Sequence, residues 1–399
     1  MKHLRLSVLS FLSIVIFSHF SFGAATDSAE LVQSVPLETT LAVPGIRQTQ
    51  EVWLEMIKSA QTTLDLEQFY ISDQAGEALA PVLQAIQDAA QRGVHVRILI
   101  DSKFFVTYPE PARTLGHLPG IESKIIDFSS SGGVQHAKFF VVDRAQSFIG
   151  SQNFDWRALS HIHEIGIRIA DTKIASDCET IFERDWGVGS VITDPVSPLQ
   201  RLFAFMSDPT GSLDADTQTS TPSFFVAASP PSVTPAGIAD SLSQVTGLMN
   251  AATKTIRIQV MEYATKGFGS NGTAWRALDD VIRKAAARGV HVQLLVDISD
   301  VKKAKADLAA LSALKNIEVR TVTIPQWSGG VIDYARLIHS KYLIVDGIAA
   351  WVGSENWSKS YFTDTRDVGL VLHNTDLTGQ LNQVFDQVWG STYTSTQLN

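Results

Sequence analysis

Apolar and polar residues alternate along this chain in short runs, and the same runs come twice. In "HVRILID" (95–101) and "HVQLLVD" (291–297) the period is that of a strand with both faces in use. Each strand follows a helical pattern that ends at Arg-Gly, "AAQRGV" and "AAARGV", the mark of a helix stopped by glycine. Upstream lies a further strand pattern in each copy, "TTLDLEQFYI" (62–71) and "KTIRIQVMEY" (254–263). Downstream come "KFFVVD" and "KYLIVD", then "EIGIRIAD" from Glu164 and "DVGLVLHN" from Asp367, and a closing helix near Trp186 or Trp389. Strands alternating with helices twice over predict two similar α/β lobes, each with helices over a mainly parallel sheet. His95 and His291 recur with the strand they open, so they are read as parts of the fold.

Residues 187–237 are rich in Pro, Ser, Thr and Asp, as in "DPTGSLDADTQTSTPS", and read as a connection with little regular structure. The division is therefore a leader at 1–25, a first lobe at 26–190, a connection at 191–237 and a second lobe at 238–399. The leader has a charged start, an apolar stretch over 6–22 and small residues at 23–25. That is the secretory pattern and implies export to a periplasm or the medium. An uncleaved anchor is the alternative.

Composition narrows the class. With 45% hydrophobic and 18% charged residues the chain builds a core. A net charge of −9 argues against broad binding of duplex DNA, which needs a basic surface. It leaves room for one local basic pocket. Cys178 is the sole cysteine, so no intramolecular disulfide forms; on its amphipathic helix it reads as a buried thiol.

The chemistry lies in "QHAKFFVVDRAQSFIGSQN" (135–153) and "IHSKYLIVDGIAAWVGSEN" (338–356). Residues two apart on an extended segment share a face. His136 therefore stands beside Lys138, and His339 beside Lys341. Imidazole can attack phosphorus or donate a proton near neutral pH, and lysine brings charge to phosphate oxygens. Ser151, Asn153, Ser354 and Asn356 follow what read as tight glycine turns and add neutral donors. Two such halves make a cradle for a tetrahedral anion, and the lysines supply its charge without a metal or other cofactor. A single H-x-K-x4-D is weak evidence, but two copies with G-S-x-N at the same distance exceed chance.

These motifs resemble the paired HKD motifs of the phospholipase D superfamily. The resemblance implies two α/β lobes about a pseudo-two-fold, with one active site at the seam. It also implies a two-step reaction through a phosphohistidine, with His136 as nucleophile and His339 as general acid by family precedent. "NFDWR", "NWSKSYF" and "FFVAASPPSVTPAG" are similar to the lysosomal 5′-to-3′ exonuclease branch (phospholipase D members three and four) and its viral and bacterial relatives. The substrate implied is single-stranded nucleic acid or a phospholipid, and a noncatalytic phosphate-binding protein is the reading from another class. No obligatory protein partner is implied, and a monomer would suffice.

Four further sites follow from spacing. Asp143 and Asp346 lie five residues past each lysine, an odd offset that points them away from the site as buried structural partners. Glu164 and Asp367 each fall eleven residues after the motif asparagine, where a carboxylate could fix an imidazole tautomer. "HIHE" (161–164) offers a partial metal set, but His161 and His163 have no counterparts in the second copy. No metal is expected. Trp156, Trp357, Tyr361 and Phe362 are open to two readings, stacking on nucleobases or packing.

Overall fold

The computed structural model describes residues 28–192, 223–266 and 274–398. The expected leader and most of the connection lie outside them. Two nine-stranded sheets dominate. The first is ordered Ser190–Val191, Ile121–Ile126, His95–Asp101, Thr63–Gln68, Phe139–Val142, Gln146–Gly150, Glu164–Ala170, Ser28–Ser34, Arg47–Gln48. The second repeats the central order with Ile317–Val322, His291–Asp297, Thr255–Val260, Tyr342–Val345, Ala349–Gly353, Asp367–Leu372 and Phe224–Ser229.

Each sheet is mixed, which corrects the mainly parallel expectation. Thr63–Gln68, His95–Asp101 and Ile121–Ile126 are parallel, joined through helices. From Thr63–Gln68 onward through the motif strands every pairing is antiparallel. The reason is the connection. Phe139–Val142 and Gln146–Gly150 are joined by a turn too short for a crossover, so they can only form a hairpin.

The connection is also shorter than its composition suggested. Phe224–Ser229 pairs antiparallel with Asp367–Leu372, as Ser28–Ser34 pairs with Glu164–Ala170. Its apolar residues, which enter the central and outer cores in turn, make it the first strand of the second lobe, ahead of the boundary at 238.

Strand alternation divides the apolar residues between three cores. In Phe139–Val142, Phe140 and Val142 face the helices Thr49–Ser59 and Ala80–Gln91. Phe139 and Val141 face inward, where Tyr342, Ile344, Val352 and Leu370 of the second lobe meet them. The helices Thr172–Val188 and Thr375–Trp389 complete this central core, with Cys178 fully buried in it. The two lobes thus share one interior. Arg366 fastens it: its guanidinium, wholly buried, donates to both oxygens of Asp185 at 2.6 and 3.2 Å and to the carbonyls of Ser229 and Val233. Removing either member of such a pair strands the other charge, at a cost of about 3–5 kcal/mol.

Candidate active site

The seam is built by backbone pairing between the lobes. The His136 N–H donates to the Arg366 carbonyl at 2.7 Å, and the His339 N–H to that of His163 at 2.9 Å. Asp101 and Asp297, the last residues of their strands, finish the placement. Each accepts the N–H of the residue before the motif histidine, Gln135 or Ile338, at 2.8 Å, while capping the helix that follows its strand. Burial pushes both carboxyls up to about 6. Their recurrence in "RILID" and "LLVD" was the available signal for this role.

The expected carboxylates do reach the histidines, and they cross the seam. Asp367 Oδ1 lies 2.7 Å from Nδ1 of His136, and Glu164 Oε1 2.8 Å from Nδ1 of His339. With Nδ1 held, Nε2 is the nitrogen left for chemistry on each ring. Lys138 and Lys341 are buried and each donates to the carbonyl of its own motif histidine.

Ser151 and Ser354 differ from expectation. Their hydroxyls are not free for phosphate. Ser151 Oγ donates to Glu164 Oε2 at 2.5 Å and accepts the Ile165 N–H; Ser354 Oγ donates to Asp367 Oδ1 at 2.7 Å and accepts the Val368 N–H. They brace the carboxylates. The glycine before each serine is a strand end, not a turn. At Gly150 a Cβ would stand 2.7 Å from the Cα of Gly166 on the paired strand, so only glycine permits the approach. Asn153 and Asn356 are buried nearby, and neither side-chain oxygen has a partner among the described residues.

Asp143 and Asp346 sit apart from this chemistry. They are half-buried, not buried, because each lies in the hairpin turn just past its strand with φ of 52°. Asp346 accepts the N–H groups of Thr253, Lys254 and Thr255, and Asp143 those of Gln61, Thr62 and Thr63. Partial burial pushes Asp346 up, but these bonds outweigh it and bring the carboxyl down to about 2.

Electrostatics follow from burying two ammonium groups together. Burial and the neighbouring Lys341 hold Lys138 well below the usual lysine range. Burial brings Lys341 down to about 7, against the opposing pull of Glu164 and Asp367. His136 is lowered strongly, by burial and then by Lys138, Lys341 and His339. Burial lowers His339 too, but the charge of Glu164 opposes it. An anion in this site would relieve the repulsion between the two lysines.

Of the four aromatic residues left open, Trp156, Trp357 and Phe362 pack into the outer cores. Tyr361 alone meets the site, edge-on to His136 at 5.0 Å between centroids. Sequence reasoning missed a larger cluster. Phe69 lies edge-on to His136 at 4.7 Å and beneath Lys138 at 5.0 Å. From it rings continue through Phe104 at 3.9 Å to Tyr70 and then Tyr108, stacked at 5.0 Å, under Arg157 at 5.8 Å. At the matching positions the second copy has Met261, Glu262, Asp300 and Ala304. That contrast between repeats was the signal. His161 and His163 are drawn apart from any metal set: His161 packs on Trp156 and Trp327, while His163 Nδ1 meets Ser340 and Gln259. Among the described residues no group of three or more His, Cys, Asp or Glu could hold a metal ion. His95 and His291 pair with Glu122 and Glu318 at the outer ends of their strands.

Comparison with known proteins identifies the family. The family model "Cardiolipin synthase, PLD-like domain" matches residues 53–186 and 245–389. "Phospholipase D Z" of Dictyostelium discoideum is 30% identical over 94% of this chain and 92% of that protein. The human "5'-3' exonuclease PLD3" is 30% identical over 92% of this chain and 80% of that protein. The fold matches a phosphatidylserine synthase structure from Haemophilus influenzae with a TM-score of 0.62 at 14% identity, covering 87% of this chain and 84% of that one. The chain belongs to the phospholipase D superfamily and is a hydrolase of phosphodiester bonds.

Proposed function

We propose that the protein is an exported 5′-to-3′ exonuclease on single-stranded nucleic acid, working through a phosphohistidine. His136 Nε2 attacks phosphorus, and the ester oxygen leaves with the bonding pair, taking the proton from His339 Nε2. A water then attacks phosphorus and gives its proton to His339, while the P–N bond breaks and its electrons return to His136. Lys138 and Lys341, with the Asn153 and Asn356 amides, hold the phosphoryl oxygens and stabilise their developing charge. The strong lowering of His136 suits a nucleophile that must be neutral, and the support His339 receives from Glu164 suits a proton donor.

One observation carries the choice of substrate. The rings from Phe69 to Tyr108 start against His136 and form an aromatic wall on one side of the site only. Stacking on such a wall holds bases of any sequence, at about 1–3 kcal/mol each. Relatives carrying an exonuclease name favour the same reading. The competing reading is a phospholipase D. It draws on the Dictyostelium relative and on Val106, 61% exposed on the helix that carries Phe104.

The two are separated by offering the purified protein a 5′-hydroxyl single-stranded oligonucleotide and phosphatidylcholine vesicles in parallel, with EDTA present. Stepwise shortening of the oligonucleotide from its 5′ end, weakened at least tenfold in Tyr108→Ala, is the expected result. Choline release without nucleotide release would overturn it. Export rests on the leader pattern. A mature protein outside the cytoplasm whose N-terminus lies near residue 26 is expected.

A further inference from the structure

The two halves of the site carry the same His, Lys, Ser and Asn and one carboxylate each. Those groups alone do not say why one imidazole attacks while the other donates. The residue between Ser and Asn does differ. It is Gln152 in the first motif and Glu355 in the second, and both are fully buried. Each is anchored by the first residue of an equivalent helix. Gln152 Nε2 donates to Thr49 Oγ1 at 3.0 Å, and Ser241 Oγ donates to Glu355 Oε1 at 2.5 Å. The other Glu355 oxygen, Oε2, has no hydrogen-bond partner among the described residues. Its neighbour Ser354 donates to Asp367, and Asp367 holds His136. A buried carboxyl therefore directly follows, in the chain, the serine whose contacts lead through Asp367 to His136. A neutral amide follows Ser151, whose contacts lead through Glu164 to His339.

We propose that Glu355 is a positioning residue that breaks the chemical equivalence of the two halves, assigning attack to His136 and proton donation to His339. The proposal rests on the phosphohistidine reading above. Two buried carboxyls that act on one another in a dry site resist being ionised together. The titratable groups that act on Asp367 include Glu355, Lys138, Lys341 and, in direct contact, His136. Burial and then Glu355 push the Asp367 carboxyl well above the usual range, against Lys138, Ser354 and Lys341. Burial also holds Glu355 up, to about 7, against Ser241, backbone N–H groups and Lys138. When Glu355 bears the negative charge, the proton of the pair belongs on Asp367 Oδ2, because Oδ1 accepts from both Ser354 and His136. His136 is then oriented by a neutral oxygen that lends little support to an imidazolium, and its Nε2 lone pair stays free. Glu164, backed by an amide, supports a proton on His339.

The test exchanges the two side chains. Glu355→Gln copies the arrangement already present at Gln152, and Ser241 can serve it as Thr49 does. It moves the negative charge onto Asp367, in contact with His136. The ascending limb of kcat/KM, which reports deprotonation of the free nucleophile, should move up by about one pH unit. The descending limb should stay in place. In the double variant Gln152→Glu/Glu355→Gln the trapped phosphohistidine should pass from His136 to His339. Thermal unfolding of both variants checks that the fold is kept, and the single variant decides the matter if the double one does not fold. A Glu355→Gln profile superimposable on the parent's would overturn the proposal, as would an adduct that stays on His136 in a folded double variant. An active parent that forms no adduct would overturn the phosphohistidine reading instead, leaving the limb shift to decide the role of Glu355.

Discussion

Asp367 of the second repeat lies 2.7 Å from the Nδ1 of His136 in the first, and the first repeat returns the contact through Glu164 and His339. Each half-site is completed by the other. On the proposed mechanism Asp367→Ala should therefore impair the nucleophile and Glu164→Gln the acid, each across the seam. With a p-nitrophenyl diester, whose leaving group needs no proton, Glu164→Gln should keep most of its first-step burst, measured before hydrolysis of the intermediate limits turnover. With an alkyl diester it should lose about 10²–10⁴-fold. Asp367→Ala, which removes the accepting oxygen, should fall on both substrates, and the reverse pattern in the first step would exchange the two roles.

The histidines themselves differ in what they leave behind. On the proposed mechanism His136→Ala has no covalent route and should be inactive on every substrate. His339→Ala should still release p-nitrophenolate in the first step, then stall because no base activates water. Mass spectrometry under alkaline conditions should find phosphate on His136 in that variant. Phosphate on His339 in His136→Ala would reverse the assignment.

The pH profile should be bell-shaped, with limbs belonging to the coupled set of groups. Burial lowers Lys341 to about 7, so the free enzyme loses that charge as pH rises through neutrality, and kcat/KM should fall there. A bound phosphodiester favours the ammonium form and raises its pKa. The fall in kcat should then come at higher pH than the fall in kcat/KM. Coincident limbs in steady-state profiles would count against Lys341 as a phosphate ligand.

Residues 26–194 expressed alone should turn over no phosphodiester. That fragment keeps His136 but loses Asp367, and it exposes Phe139, Val141 and Ile149, which pack against the second lobe. Activity in a fragment shown by sedimentation to be monomeric would refute a single shared site.

Asp346→Asn should lower Tm by about 2–4 °C at neutral pH while leaving kcat nearly intact. The folded carboxyl is depressed to about 2, so its stabilisation is present above the unfolded value of about 4 and fades as pH falls through 2. The difference between parent and variant should shrink in acid. Calorimetry at the two pH values measures it.

The sequence carried the repeated elements, the paired histidines and lysines and the carboxylates at Glu164 and Asp367, because duplication repeats whatever a fold and a site require. It was silent on the crossing, since spacing within one repeat says nothing of which lobe a side chain meets. The serines were misassigned for a related reason. A hydroxyl can serve a phosphate or a carboxylate, and only the 2.5 Å contact of Ser151 with Glu164 decides. Asp143 was placed by strand parity, which ends where the chain enters the left-handed turn at φ 52°. The aromatic wall escaped notice because Phe69 and Phe104 belong to different elements and meet only in the fold.

The shared interior has one more consequence. An interface in which each half gives a carboxylate and receives one in return is of the kind two identical chains form about a two-fold axis. Identical chains could build such a centre, but any substitution in one would appear in both. Joining the halves in one polypeptide removes that bond between them. Gln152 and Glu355, or Phe69 and Met261, can then follow separate histories while the backbone stays paired. Covalent linkage is what allows a symmetric scaffold to hold a substrate in one direction.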